Sequence, residues 1–501
     1  MEASDMVGFV VGNQSAQSAT ICADQTIRNP EGMWTAVRDG DAVRARLALG
    51  AQLAARRQAA DETQRTLAHK LPYSRSTIAG VETGRQHAPL AFWKSCDELL
   101  NAGGALLDGY RSLEAVISAQ ASERAETEAA AVRSLAQPGL GWQSTVNGAV
   151  ASVVALSQES VQEPTRDLAP ATAAASGGAT LRWLLAPVDR QPQRANGHRL
   201  VGRNDVAAMM AMHQSLRQLD DTHGGGAVLH MALAYLRHDV APLLHGRYSA
   251  GIGKALFAAI SQLIMAMAWM AYDAAHHDLA RRAMIQALWF SHTVGDRSFG
   301  GRVLAAMSHQ ALHLGAVNEA VDLARAAAEG TRGRATPGAQ AMFTATEARA
   351  QAIYGDQHEC QRLIGLAERA FDRVQADTEP SWIGFIDEGE LAGKFGRCFR
   401  DLGQTKQADS FLGLSMQRHK PIYPRRRAIT QLIWASTYVR QGELEEACRL
   451  GNEALVAIGP IRSERTRDYL RELHQSLAPH HRVSAVTDFL EQARPLLPVN
   501  R

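Results

Sequence analysis

Residues 434–460 read WASTYVRQGELEEACRLGNEALVAIGP, and their spacing decides the fold of the larger part of the chain. Apolar residues recur three and four apart on either side of Gly442, the pattern of two amphipathic helices separated by a sharp stop. Five residues after that glycine stands the small Ala447, followed by Gly451 and Ala454. The same offsets follow Gly315 (Ala320, Ala324, Ala327), Gly355 (Cys360, Ile364, Ala367) and Gly403 (Ala408, Leu412, Ser415). An earlier copy keeps a small residue, Ala275, and continues with Ala280, Met284 and Ala287, so successive copies are 40, 40, 48 and 39 residues apart. Glycine permits the tight turn between paired helices, and a small residue early in the second helix lets the two backbones approach. One such pair cannot bury its apolar face alone, so the copies must stack.

This pattern resembles the tetratricopeptide repeat. Trp434, Ala435, Tyr438, Gly442, Ala447, Ala454 and Pro460 fall at or within one residue of that family's spacing, in copies somewhat longer than its usual period of about 34 residues. The resemblance implies a TPR-like α-solenoid over 204–501, with the first helix of each pair lining a concave surface. The inward residues then lie six, three and two positions before each helix-ending small residue. They are Trp269, Tyr272 and Asp273; His309, Leu312 and His313; Arg349; Arg397, Arg400 and Asp401; Ser436 and Arg440. Such a surface is aromatic at one end and arginine-rich at the other, which suits an apolar effector with an acidic end, a small molecule or a peptide.

Nearer the N-terminus, residues 55–86 read ARRQAADETQRTLAHKLPYSRSTIAGVETGRQ. A basic helix ends near Ala59, and a second starts at the N-cap Thr63 and runs to His69 or Lys70. After the turn LPY, a third helix is capped by Ser74 and ends before Gly84. Ala68 stands where two helices cross closely, and Leu67, Ile78 and Val81 are spaced to close a core, which is helix-turn-helix geometry.

Residues 43–89 resemble the XRE (lambda-repressor-like) family: TQ at the second helix, LA inside it, SRSTI at the third and VETGR after it lie at family spacing. Asp61 and Glu62 depart from it, standing where the family has Gly and an apolar residue. The resemblance implies that Arg75, Ser76, Ala79 and Gly80 face base edges in the major groove of double-stranded DNA. It places Gln64, Arg65 and Arg85 at phosphates and Thr77 at either. The block FWKSCDELLNAGGALLDGYRSLE (92–114) resembles the extension of actinobacterial regulators with TPR-like C-terminal regions, a likeness that reaches GRNDVAAMM (202–210), LDDTHGGG (219–226) and LLHGRY (243–248).

Composition agrees with this division. The 501 residues carry 53 Lys and Arg against 51 Asp and Glu, a net charge of +2. Arg44 to Lys94 alone holds nine basic and three acidic residues, a +6 head on a slightly acidic body. The five cysteines form no CxxC pair, so neither a disulfide framework nor a zinc knuckle is indicated. No basic segment precedes the short apolar run at the N-terminus, so no signal peptide is expected. The uncharged stretch Ala255–Tyr272 reads as a buried helix and not as a membrane span. GIGKA (251–255) lacks the first Gly and the Ser/Thr of a phosphate loop. His309 and His313 have no third ligand nearby, and the pairs His276–His277 and His480–His481 read as surface or loop histidines. THGGG (222–226) is a turn that could form a weak anion nest.

These readings predict an all-α chain. Residues 1–40 form an irregular arm, 41–117 an XRE-type helix-turn-helix domain, 118–203 a partly disordered linker with an apolar piece at LRWLLAP, and 204–501 the TPR-like repeat domain. The expected function is a cytoplasmic, homodimeric, DNA-binding transcriptional regulator whose repeat domain senses an effector or binds a partner protein. The expectation includes no catalytic residue, cofactor, metal or membrane. The alternative is a TPR-type interaction scaffold that does not read specific DNA.

Overall fold

The structure, a computed structural model, describes residues 27–28, 34–35, 39–134, 139–158, 170–187, 197–418 and 423–497. The chain divides into two compact units, Met1–Glu128 and Ala129–Arg501. Within 1–40, the described residues are the antiparallel pair β1 (Ile27–Arg28) and β2 (Trp34–Thr35) and the start of α1 at Asp39. The rest of the expected arm lies outside the described residues.

The first unit is built on α1 (Asp39–Ala59), α2 (Gln64–Lys70), α3 (Arg75–Glu82), α4 (Leu90–Leu99) and the first part of α5 (Ala105–Ser134). Leu67 and Ile78 are fully buried and Val81 nearly so, against Leu53, Phe92, Cys96 and Leu106. Thr63 Oγ1 accepts the Thr66 N–H (3.1 Å) and Ser74 Oγ the Thr77 N–H (3.1 Å), so both expected caps hold orphan donors of the first turn. The buried Asp97 carboxylate accepts the N–H groups of Gly104 (2.7 Å) and Leu106 (2.9 Å), fastening the start of α5 onto α4. Gly50 is where α1 meets the end of α3. A Cβ there would stand 2.6 Å from the Glu82 carbonyl oxygen and closer still to that of Val81.

The second unit begins by revising the linker expectation. Helices α6 (Val146–Ser157) and α7 (Pro170–Leu185) belong to the core of the body, with Val153, Leu156 and Trp183 fully buried in it. Gln286 Nε2 donates to the Gly139 carbonyl (2.8 Å), Trp289 Nε1 to that of Gln143 (2.7 Å), and the buried Arg281 to Ser176 Oγ (2.9 Å). Helix α6 is apolar and enters the core through Val150, Val153 and Leu156, and in α7 small residues such as Ser176 and Ala179 allow close helix approach around Trp183. Residues 135–138, 159–169 and 188–196 of the same stretch lie outside the described residues.

The remaining helices are α8 (Arg203–His223), α9 (Gly225–Tyr235), the short α10 (Ala241–Leu244) and five hairpins. The hairpins are α11 (Ala250–Asp273) with α12 (His277–Thr293), α13 (Arg297–His313) with α14 (Val317–Gly330), and α15 (Pro337–Tyr354) with α16 (Gln357–Phe371). They continue with α17 (Glu388–Asp401) and α18 (Thr405–Arg418), then α19 (Pro424–Gln441) and α20 (Leu444–Ile458), before α21 (Glu464–Leu477) and α22 (Ser484–Ala493) end the chain. Each hairpin turns on a residue with positive φ: Ala275 (63°), Gly315 (77°), Gly355 (96°), Gly403 (74°) and Gly442 (82°). Alanine adopts this left-handed conformation at a cost that glycine does not bear. The residues five positions on, Ala280, Ala320, Cys360, Ala408 and Ala447, are all fully buried between their helices. The apolar α11 is mostly buried inside this body.

The longest repeat spacing comes from the connection 372–387, which carries Trp382 and Phe385 inward. The array also closes on itself. The Arg462 N–H donates to the His223 carbonyl (2.8 Å) and the Gly226 N–H to that of Arg462 (3.0 Å), while α21 packs on α19 and α11. The segment leading into α21 thus returns to α8 and α9, the start of the helical array within this unit.

Candidate functional site

In the first unit, the capped start of α3 presents an exposed polar edge. Arg75 and Ser76 are exposed, Thr77, Ala79 and Gly80 half-buried, and Arg65 and Arg85 exposed beside them. The hydroxyls of Ser76 (2.7 Å) and Thr77 (2.9 Å) both reach Ser74 Oγ, which fixes their rotamers. Gln64 is engaged inside the domain: its Nε2 donates to Glu82 Oε2 (2.8 Å), and the half-buried Glu82 also accepts Arg57 Nε (2.6 Å). This network ties α1, α2 and the end of α3 together, and its members are far apart in sequence. Gly80 is covered by Gln86, whose Oε1 would stand 2.8 Å from an added Cβ. The sequence offered no sign of that placement, because Gln86 follows the turn at Gly84. Asp61, at the expected Gly position, has φ 53°, and Asp tolerates that left-handed conformation better than a branched residue does.

In the second unit, α8, α11, α13, α15, α17, α19, α21 and the 372–387 connection surround a cavity of about 180 Å³. Of the residues expected on an inner face, Trp269, Asp273, His309 and Arg397 line it. Tyr272 is fully buried beside it, its ring 5.4 Å from Trp269 and 5.7 Å from His309. Arg349 reaches His309 Nδ1 (3.4 Å) and faces Asp401 (3.8 Å).

His313 pairs instead with Asp468 of α21 (3.2 Å), and Arg400 with its neighbour Asp401 (2.7 Å). Arg440 is exposed and donates to the Arg400 carbonyl (3.0 Å). The structure therefore takes His313, Arg400 and Arg440 out of the cavity lining. The offsets assume that every first helix shows the same inner face, whereas α21 covers part of it. His276 and His277 are also buried, with His277 against the rings of Tyr272 (5.7 Å) and His313 (5.8 Å), contrary to the expected surface placement.

Several lining residues were not foreseen. Arg425, from the RRR run 425–427, donates to both oxygens of Asp220 (2.9 and 2.7 Å) and to Asp273 (2.9 Å). Asp273 further accepts Ser463 Oγ (2.9 Å) and the Gly225 N–H (2.9 Å), and lies 3.3 Å from Arg465. The LDDTHGGG block is thereby explained. Its aspartates hold α8 to α19, and the N–H groups of Gly224, Gly225 and Gly226 in the expected nest are bonded to the Asp220 carbonyl, the Asp273 carboxylate and the Arg462 carbonyl.

Seven cationic side chains line the cavity against four carboxylates. Asp220, Asp221 and Asp273 gather around Arg425 and Arg465, while Glu390 and Asp221 each lie 3.9 Å from Arg426. Arg217, Arg302, Lys394 and Arg397 have no carboxylate within ion-pair distance among the described residues. Arg302 lies over the rings of Phe385 (4.9 Å) and Trp382 (5.6 Å), and Arg397 Nε is buried without a hydrogen-bond partner. Burial pushes the pKa values of Lys394, Arg397 and Arg302 down; neighbouring cations reinforce it at Arg302, while Glu390 opposes it at Lys394 and the Tyr469 phenol and Glu390 oppose it at Arg397, and burial with surrounding cations holds His309 well below the usual histidine range. Burial raises the Tyr469 phenol, but Arg349, Arg397, Arg400 and Arg465 outweigh it, so its pKa is lowered.

No curated protein matches the chain. A family model described as a helix-turn-helix domain matches residues 48–108, the segment that holds the capped α2–α3 pair, so the chain carries a helix-turn-helix domain of the kind that binds DNA.

Proposed function

We propose that this protein is a transcriptional regulator of the XRE type that binds its operator as a homodimer and is controlled by an effector bound in its tetratricopeptide-like body. The exposed edge of α3 within a matched helix-turn-helix domain is the observation that carries the reading. In this reading, Arg75 reads guanine bidentately in the major groove, and Ser76, Thr77, Ala79 and Gly80 complete the base-facing surface. Arg65 and Arg85 hold phosphates. Gln64 acts mainly by fixing α2 through Glu82, a change of role that its bond to that carboxylate favours. One recognition helix covers too few base pairs for useful specificity, which favours a two-fold dimer on a palindromic site.

The test is a binding series on the operator selected from host DNA. Arg75→Ala should cost about 1–3 kcal/mol on the operator and relax one base position, whereas Arg85→Ala should weaken operator and random duplex alike. Equal loss on both duplexes for Arg75→Ala would refute the base-reading role, and light scattering that finds only monomer on DNA would refute the dimer.

A further inference from the structure

The body's inner surface differs from an open groove. Helix α21 lies on it, with the Arg465 guanidinium 5.7 Å over Trp269 and 5.5 Å over Tyr272, and its Asp468 pairs with His313 on α13. Arg425 clasps Asp220 of α8 and Asp273 of α11. What α21 leaves uncovered is the 180 Å³ cavity, smaller than the roughly 300–1,000 Å³ of pockets for drug-sized ligands. A peptide strand would bring backbone donors and acceptors into a space whose walls include Met265, Phe299, Met342, Trp382 and Phe385.

The charges within this space are unevenly spread. The carboxylates collect around Arg425, Arg426 and Arg465. Lys394 and Arg397, one turn apart on α17, face the cavity with Arg302 and Arg217, none of them in contact with a carboxylate among the described residues. These half-buried cations touch no carboxylate among the described residues and are only partly balanced, Lys394 and Arg397 by the more distant Glu390, while the Arg302 guanidinium over its aromatic rings adds a preorganised anion seat beside a flat apolar wall. We propose that this cavity is a site for a small organic acid, an anionic head of carboxylate or phosphate on a flat apolar body, held by Lys394, Arg397 and Arg302 and stacked against Trp382 and Trp269. The proposal deepens the sensor reading above and rests on it only for the effect on DNA binding.

The experiment uses the full-length protein and matched probes: indole-3-acetate and phenyl phosphate as the two acids, indole-3-acetamide as a neutral twin, and inorganic phosphate as a head without a body. Thermal stabilisation and quenching of tryptophan emission report binding. At least one of the two acids is expected to bind and to show which head the site prefers, while the amide and inorganic phosphate do not. Lys394→Gln and Arg397→Gln should each weaken the acid about tenfold or more, whereas Arg440→Gln on the exposed surface should leave it unchanged. Without probe, both cavity variants should be as stable as the parent or more so, since a half-buried cation whose charge burial disfavours is removed. Should either fold poorly, Arg302→Gln supplies the same comparison from α13.

Binding of neither acid, equal binding of the amide, or binding that survives all three cavity variants would overturn the site. Equal binding of inorganic phosphate would reduce it to an adventitious anion site. An acid that binds as expected but leaves operator affinity unchanged would refute the sensor reading and leave the site intact. Loss of the site would in turn leave DNA reading by α3 untouched.

Discussion

Replacing Arg425 by alanine tests whether the body is a closed array, because this side chain joins α19 to α8 and α11. In the parent it makes three charge-assisted hydrogen bonds, two to Asp220 and one to Asp273. Asp273 is only 2% exposed but would keep Ser463, the Gly225 N–H and Arg465. Asp220 would keep no cation in contact among the described residues, and burial already favours its neutral form. Breaking a buried pair by removing one partner costs about 3–5 kcal/mol. Since Asp273 retains its other partners and Asp220 can take up a proton, the lower end, about 3 kcal/mol, is expected. Urea unfolding of the full chain, read on the transition carrying the body's tryptophans, measures it, and operator binding reports separately on the helix-turn-helix domain. The double variant Arg425→Ala/Asp220→Asn should lose less than the sum of its parts by about 1–3 kcal/mol. Arg449→Ala, in an exposed cluster with Glu446 and Glu453, should cost at most about 0.5 kcal/mol. A loss below about 1 kcal/mol for Arg425→Ala, or strict additivity in the double variant, would refute the closure argument.

Gly50→Ala should destabilise the helix-turn-helix domain by about 1–3 kcal/mol and weaken all DNA binding, because its Cβ meets the rigid Val81 and Glu82 carbonyls. An unchanged melting temperature for that domain would show that α1 and α3 are not in this contact. Burial holds the pKa of both His213 and His277 down at about 4. Between pH 6.5 and 4 the unfolded chain binds protons that these groups refuse in the body, so stability should fall with pH across that window, by about 3 kcal/mol for each residue at its lower end. His277→Gln should flatten the decline, and a decline of unchanged steepness would exclude His277 as a contributor.

How much of this was legible in the sequence depends on the range of each contact. The hairpin turns were, because a positive-φ residue and a buried small residue five positions on lie within one local motif; even Ala275, a non-glycine, kept the register. The caps Thr63 and Ser74 were legible for the same reason. The Arg57–Gln64–Glu82 network and the Arg425–Asp220 clasp were not, since they join residues up to 205 positions apart and each side chain alone looks like an ordinary surface charge. Helices α6 and α7 were read as linker because the surrounding stretches rich in Ala, Ser, Gln, Pro and Gly outweighed the short apolar run of α6. Their packing rests on Val150, Val153 and Leu156 of α6, on small residues and Trp183 of α7, and on hydrogen bonds from Gln286, Trp289 and Arg281. The inner-face offsets fall on the cavity lining at Trp269, Asp273, His309 and Arg397 and off it at His313, Arg400 and Arg440, where ion pairing and exposure replace an inward position.

The division of charge inside the body separates structural from functional side chains. Replacing buried ion pairs with apolar residues of similar volume is often neutral or stabilising, so stability alone does not require so many cations in one interior. Around Arg425 and Arg465 the purpose is visible, since their carboxylate partners lie on α8 and α11 and the contact closes the array. Lys394, Arg397 and Arg302 touch no carboxylate among the described residues, and their depressed pKa values record that burial works against their charge and, at Lys394 and Arg397, outweighs the more distant Glu390. A group kept charged against its surroundings, in a cavity and beside aromatic rings, is better explained by a ligand's charge than by the fold. That is why removal of Arg425 should loosen the body, while removal of Lys394 or Arg397 should leave it as stable as before and abolish tight binding of an acid.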